Sequence, residues 1–157
     1  MRSQPRQSST ALAFERDEWE VLVTLPRRVL IAAVAAAPAD GQAAAEGIAG
    51  IEAIASGLAS PSPLVREVVA SIYAESHAGA EDDEGGVQTL AACRYAAEVL
   101  AQRAGAEDAK AYRDWIQHIA AVVTGVAQGA AGEVAPPGRV GLADSRFMYA
   151  LGGVLRA

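Results

Sequence analysis

Residues 107–128 read EDAKAYRDWIQHIAAVVTGVAQ, and this stretch decides the fold class. Its large apolar residues recur every three or four positions, which is the spacing of one face of an α-helix. They are Tyr112, Trp115, Ile116, Ile119, Val123 and Val126. Glu107 and Asp108 precede this stripe, and acidic side chains stabilise the first turn of a helix. The stretch therefore predicts a long amphipathic helix with one buried face.

The same helical spacing recurs through most of the chain, and no stretch alternates with the period of two that a half-buried strand requires. With 157 residues, of which 52% are hydrophobic and 20% charged, the chain can build one core. Residues 1–13 are polar and aperiodic. We predict an all-α, single-domain bundle of five to six helices over residues 14–157, preceded by a disordered N-terminal tail.

The first predicted helix contains a proline. Asp17 and Glu20 have the spacing of a capping box, so a helix is expected to begin there. Pro26 interrupts the apolar stripe that follows. It either kinks one long helix or separates two, in which case Thr24 caps the second.

The second predicted helix follows Asp40, which can act as its N-cap. Gly47 and Gly50 lower its helix propensity, and we expect a close helix–helix crossing to explain them. We predict that its buried face consists of Ile48, Ile51, Ala55 and Leu58.

Three more helices are predicted from start signals and apolar spacing. Ser62 followed by Pro63 is typical of an N-cap and a first helical residue. A fourth helix is expected over residues 86–103, with Cys93 on its apolar face. A last helix carries Phe147, Leu151 and Val154.

Composition excludes some classes of partner. The formal net charge is −6, and nucleic-acid binding needs clustered lysine and arginine. The longest apolar run, residues 29–39, is shorter than the roughly 20 residues that span a bilayer. Cys93 is the only cysteine, which favours a reducing cytoplasm. Alanine-rich helix faces pack equally well within and between chains, so a protein partner or a homo-oligomer stays open.

Residues 76–86, SHAGAEDDEGG, combine one histidine with four consecutive carboxylates. The acids do not alternate as in a calcium loop, and His77 has no second histidine or cysteine nearby for zinc. Acidic residues directly before a helix stabilise its N-terminus. We interpret the stretch as a solvated loop that starts the fourth helix.

Asp114 and His118 lie one turn apart on the face opposite the apolar stripe of the fifth helix. If solvent covers that face they form a weak surface pair, and if another helix covers it they mark a polar pocket. The pocket would include Trp115 and would bind a small ligand or serve a cryptic enzyme. The sequence contains no di-iron, phosphate-loop or dinucleotide motif, and Cys93 is expected to be an inert core thiol.

Two turns resemble a known family. ADGQAAAE (residues 39–46) and PGRVGLAD (residues 137–144) are similar to the Asp-Gly turns of tellurite-resistance TerB-like proteins, which are small all-helical bacterial domains with two related halves. EWEVLVTLPRRVLIAAVAAA and AYRDWIQHIAAVV are also similar to relatives of that group. Pro137 stands where the second turn of the family has an acidic residue.

The resemblance implies a stress-response or interaction role, with a divalent metal ion bound by Asp40, Glu46 and Asp144. Our leading interpretation is a non-enzymatic cytoplasmic helical protein of this type that binds neither nucleic acid nor membranes. The alternative is the ligand-binding protein or cryptic enzyme with a pocket around Asp114, Trp115 and His118.

Overall fold

The structure is a computed structural model that describes residues 10–36, 43–74, 86–125 and 142–156. These residues contain six α-helices and no β-strand, which confirms the all-α prediction. Residues 1–9 of the predicted tail lie outside the described residues, and Ala11–Ala13 form a 3-10 turn. A second 3-10 turn, Ser56–Ala59, continues the second helix. The helices are α1 (Arg16–Ala36), α2 (Ala43–Ala55), α3 (Pro63–Ala74), α4 (Gly86–Arg103), α5 (Ala106–Val123) and α6 (Leu142–Arg156).

Helices α1 and α5 form the centre of the bundle. Each of them contacts the other and all four remaining helices. One cluster contains buried apolar side chains from all six helices. Its fully buried members include Leu22 of α1 and Tyr112, Ile116 and Ile119 of α5. The predicted stripe from Tyr112 to Val123 is therefore the middle of the core. Helix α5 ends at Val123, short of the predicted end near residue 128, and Val126 lies outside the described residues.

Pro26 lies inside one continuous helix rather than between two. Proline has no N–H, so the carbonyl of Leu22, four residues earlier, loses its usual helical donor. The buried hydroxyl of Tyr112 donates to that carbonyl across 2.8 Å. Thr24 caps no second helix, and its hydroxyl instead donates to the carbonyl of Glu20 at 2.9 Å. A side chain of α5 thus satisfies the acceptor that the proline leaves open.

The predicted cap of α1 at Asp17 and Glu20 is wrong, because the helix begins one residue before Asp17. The backbone N–H of Glu15 donates to Oε2 of Glu18 at 2.8 Å, so a carboxylate reaches back to the residue that precedes the helix. Arg103 is the last residue of α4. Its Nη2 lies 3.2 Å from Oε1 of Glu15, and its Nε lies 3.3 Å from Oε2 of Glu18. The start of α1 is thereby joined to the end of α4.

The predicted N-cap of the third helix is confirmed. Helix α3 begins at Pro63, and the Oγ of Ser62 accepts the backbone N–H of Val65 at 3.4 Å. The same hydroxyl donates to Oδ1 of Asp108 at 2.6 Å. Asp108 lies in the first turn of α5, so this pair fixes the beginnings of two helices against each other.

Candidate functional site

The acidic turns of the predicted cation site are only partly described. Asp40 lies outside the described residues, and Asp144 lies in the first turn of α6 with its side chain outside them. Glu46 lies in the first turn of α2 and is half-buried. Within the described ranges, no group of three or more His, Cys, Asp and Glu side chains is arranged to hold a metal ion.

The three residues of the predicted ligand pocket do not face one space. Asp114 is exposed and forms an ion pair with Lys110, one turn earlier on α5. His118 is exposed as well. The Trp115 residue is only 7% exposed because its side chain points into the core. The structure therefore separates the polar pair from the indole, and the predicted polar face of α5 is a solvent face.

Trp115 instead packs beneath α2. Its indole N–H donates to the carbonyl of Ala53 at 3.1 Å. That carbonyl belongs to the last turn of α2, where helical donors run out, and the hydroxyl of Ser56 also donates to it at 2.6 Å. The end of α2 is thus held by the side chain that the sequence had suggested for a ligand pocket.

Small residues line the side of α2 that faces the core. A Cβ on Gly57 would lie 2.7 Å from Cγ2 of Val69 and 2.9 Å from Cε2 of Trp115. A Cβ on Gly50 would overlap the side chain of Leu30 and lie 2.9 Å from Cγ2 of Val123. The predicted close crossing is therefore confirmed at Gly50.

The same prediction is wrong for Gly47, where an added Cβ would meet nothing within 4 Å. Gly47 is three residues before Gly50 and faces open space instead of a neighbouring helix. Nothing in the described residues explains why the sequence has glycine at this position.

The predicted buried face of α2 is wrong. Ile48 is 61% exposed, Ile51 56% and Leu58 51%, although all three were expected in the core. The buried residues are Gly50, Ala53, Ile54 and Gly57. The space beside α2 is already filled by Leu30, Val123 and Trp115, so only small side chains and Ile54 fit there. We call the residues Ile48, Ile51, Ala55 and Leu58 the outer face of α2.

A signal for this orientation was present in the sequence. Gly50, Ala53 and Gly57 also recur at helical spacing, three and four residues apart. A row of small residues allows a close helix approach, and it competes with hydrophobicity as an indicator of the inner face. The isoleucines are the more hydrophobic residues, and their spacing predicted the opposite side.

Two further ionisable side chains, those of Cys93 and Tyr112, belong to the core. Cys93 is fully buried, as predicted, and burial raises the pKa of its thiol to about 12. The thiol is therefore neutral at ordinary pH and a poor nucleophile. Burial also raises the pKa of Tyr112, and the nearby Cys93 adds to that shift.

A shallow cavity of about 210 Å³ lies where Phe14 meets the end of α4 and the start of α5. Its charged groups are engaged with other protein groups: Arg103 contacts two glutamates of the α1 N-terminus, and Asp108 accepts the hydroxyl of Ser62. The two charged side chains of the cavity wall therefore connect elements of the bundle to one another.

Residues 76–85 of the SHAGAEDDEGG stretch lie outside the described residues, and α4 begins at Gly86. Among the described helices, none combines the length and the apolar character needed to cross a bilayer. Comparison with protein-family models, with curated proteins and with solved structures found no match to the chain. The TerB-like resemblance stays a prediction.

Proposed function

We propose that this chain is a non-enzymatic protein-interaction module that binds a helix of a partner protein on the outer face of α2. The observation that carries the proposal is the exposure of Ile48, Ile51 and Leu58, each more than half accessible. Moving a fully exposed side chain of this kind into the core contributes about 1.5–3 kcal/mol, so covering the exposed half or more of all three still gives a partner substantial free energy.

The spacing of the outer face supports a helical partner. Its four members are separated by three, four and three residues. Residues at alternating steps of three and four form a seam along one side of a helix. Two helices pack along such seams by inserting the side chains of one into the gaps between side chains of the other. Leu58 lies in the 3-10 turn that continues α2, so the seam extends past the last α-helical residue.

The neighbours of these side chains also favour a close approach. Ala44 and Ala45 are exposed, and Gly47 has open space where a side chain would project. Small residues beside large ones leave gaps into which side chains of a second helix insert. A partner helix would give Gly47 the close contact that is missing within the described chain.

In the other elements that the structure describes, large exposed apolar residues lie one to an element, and they include Leu12 before α1 and Tyr73 on α3. Ile31, Tyr95 and Tyr149 are exposed on α1, α4 and α6 respectively. Single exposed apolar side chains are normal on soluble proteins, whereas a continuous row marks an interaction site. The outer face of α2 is thus the best-supported binding surface of the described residues.

Isoleucine-methyl NMR tests the proposal. A peptide of about 20 residues, with a leucine seam and neutral glutamine flanks, is long enough to form a helix on binding. We expect it to shift the methyl resonances of Ile48 and Ile51 and to leave those of buried Ile116 and Ile119 in place. An absence of shifts at Ile48 and Ile51 at about millimolar peptide would contradict the proposal.

Two variants control this experiment. Ile51→Gln should abolish binding. It should change the free energy of unfolding by no more than about 0.5 kcal/mol, because the Ile51 side chain is more than half exposed. Tyr149→Gln, at a residue 86% exposed on α6, should leave binding unchanged. Equal binding by Ile51→Gln and the unsubstituted protein would place the peptide on another surface.

The divalent cation that the resemblance implies is a separate proposal. Thermal unfolding in EDTA and then in Ca²⁺, Mg²⁺, Mn²⁺ or Zn²⁺ tests it. An ion bound only to the folded state adds about 2.7 kcal/mol at about a hundredfold excess over its Kd. The rise should be lost in Asp40→Asn or Asp144→Asn. An unchanged Tm with every ion would remove the cation from the proposed function.

A further inference from the structure

We infer that the partner helix on the outer face of α2 is basic: an amphipathic helix whose apolar seam is flanked by lysine or arginine. This inference rests on the proposed function and adds the chemistry of the occupant. The charges around the seam support it.

Helix α2 carries carboxylates and no cation. Its only charged side chains are Glu46 and Glu52, and Glu52 is exposed. Between Arg28 and Arg66 the whole sequence contains Asp40 in addition to these two and no lysine or arginine. The described side chains of α2 thus combine an apolar row with negative charge alone.

Glu52 follows Ile51 directly, so it lies at the edge of the seam. Charged residues that flank a helix–helix seam decide which partner and which orientation are accepted. A lysine or arginine of the partner would pair with Glu52, whereas a partner carboxylate at that place would repel it. The formal net charge of −6 acts in the same direction, because it attracts cationic partners over longer distances.

The same charges disfavour a second copy of this chain as the occupant. Two copies related by a two-fold axis across the middle of the outer face bring their Glu52 carboxylates to the same edge. Each copy also carries the same negative net charge. Like charges opposed across a contact are destabilising, so a basic helix is favoured over self-association.

Fluorescence anisotropy with three labelled peptides tests the inference. The peptides share one leucine seam and carry lysine, glutamine or glutamate at the flanking positions. At about 50 mM NaCl we expect the lysine peptide to bind at least about fivefold more tightly than the glutamate peptide. At about 500 mM NaCl the difference should shrink, because salt screens exposed charges.

Two charge variants locate the effect. Glu52→Gln should reduce the preference for the lysine peptide. Glu98→Gln makes the same change in net charge at an exposed position of α4 and should retain the preference. A loss of equal size in both variants would mean that net charge acts without a contact at Glu52 and would overturn the assigned pairing.

The outcomes separate the inference from the proposed function. Equal affinity for the lysine and glutamate peptides, with binding still lost in Ile51→Gln, would overturn the basic partner and keep the interaction module. No Ile51-dependent binding of any peptide would overturn both. A dimer in analytical ultracentrifugation that Ile51→Gln dissociates would identify a second copy as the occupant and overturn the basic helix.

Discussion

Helices α5 and α2 differ in the side chains that they bury, since Ile54 is the only large side chain that α2 places in the core. In α5 the large apolar residues face the core, and Tyr112, Ile116 and Ile119 have no exposed surface. In α2 two large residues, Ile48 and Ile51, face solvent, while Gly50 and Ala53 face the core. The two helices contact each other, so the bulk of one is matched by the small residues of the other.

This difference shows when hydrophobic spacing identifies a buried face. A helix at the centre of the bundle, as α5 is through its contacts with every other described helix, buries its largest side chains. A helix that packs against a surface already filled by an indole must present small residues to it. For such a helix, side-chain volume decides the inner face.

The largest expected effect comes from removing the bulk that α2 packs against. Trp115→Ala should lower the free energy of unfolding by about 3–5 kcal/mol, because it leaves a cavity between Gly57 and Val69 and removes the donor to the Ala53 carbonyl. Urea unfolding followed by circular dichroism measures it. His118→Ala, at an exposed position of the same helix, should change stability by less than about 0.5 kcal/mol.

A cost for Trp115→Ala below about 1 kcal/mol would show that α2 does not depend on the indole. The small inner residues of α2 would then need another explanation, and the comparison between the two helices would fail.

The hydroxyl of Tyr112 gives the next largest effect. Tyr112→Phe should lower stability by about 1–3 kcal/mol, because the buried carbonyl of Leu22 then has neither the helical N–H that Pro26 lacks nor the phenol. Pro26→Ala restores that N–H, so the cost of Tyr112→Phe should fall in the Pro26→Ala background. Chemical denaturation of the four proteins in this double-mutant cycle measures the coupling.

Tyr95→Phe is the matched control, since Tyr95 is 42% exposed on α4 and should tolerate the change. If Tyr112→Phe costs the same with and without Pro26, the phenol acts through packing or another contact instead of replacing the missing donor.

The last comparison is between two glycines of α2, and one of them, Gly47, has the smallest expected effect. Gly50→Ala should lower stability by about 1–3 kcal/mol, because its Cβ meets Leu30 and Val123. Gly47→Ala should raise stability by about 0.5–1 kcal/mol, because alanine favours the helix and finds open space. Thermal unfolding of both variants tests the orientation of α2. Stabilisation by both would show that the inner side of α2 tolerates a methyl group.

The candidate site could be predicted only in part. The sequence identified Ile48, Ile51 and Leu58 as one helical row, and this row is the outer face that the proposed function uses. It did not show which way the row points, since that depends on Leu30 and Trp115, which are distant in sequence. Trp115 was correctly predicted to lie on the apolar stripe of α5, but the predicted pocket grouped it with Asp114 and His118, whereas its indole donates to the carbonyl of Ala53.

By itself, the sequence determined the all-α fold, the start of α3 at Ser62 and Pro63, and the buried face of α5. These features depend on local propensity, capping and periodicity, which act within about one helix length. The tertiary structure alone decided that α1 continues through Pro26 and that α2 exposes Ile48 and Ile51. Both outcomes depend on side chains of α5, Tyr112 and Trp115, whose partners are more than sixty residues away along the chain. Such contacts exist only once the bundle has assembled.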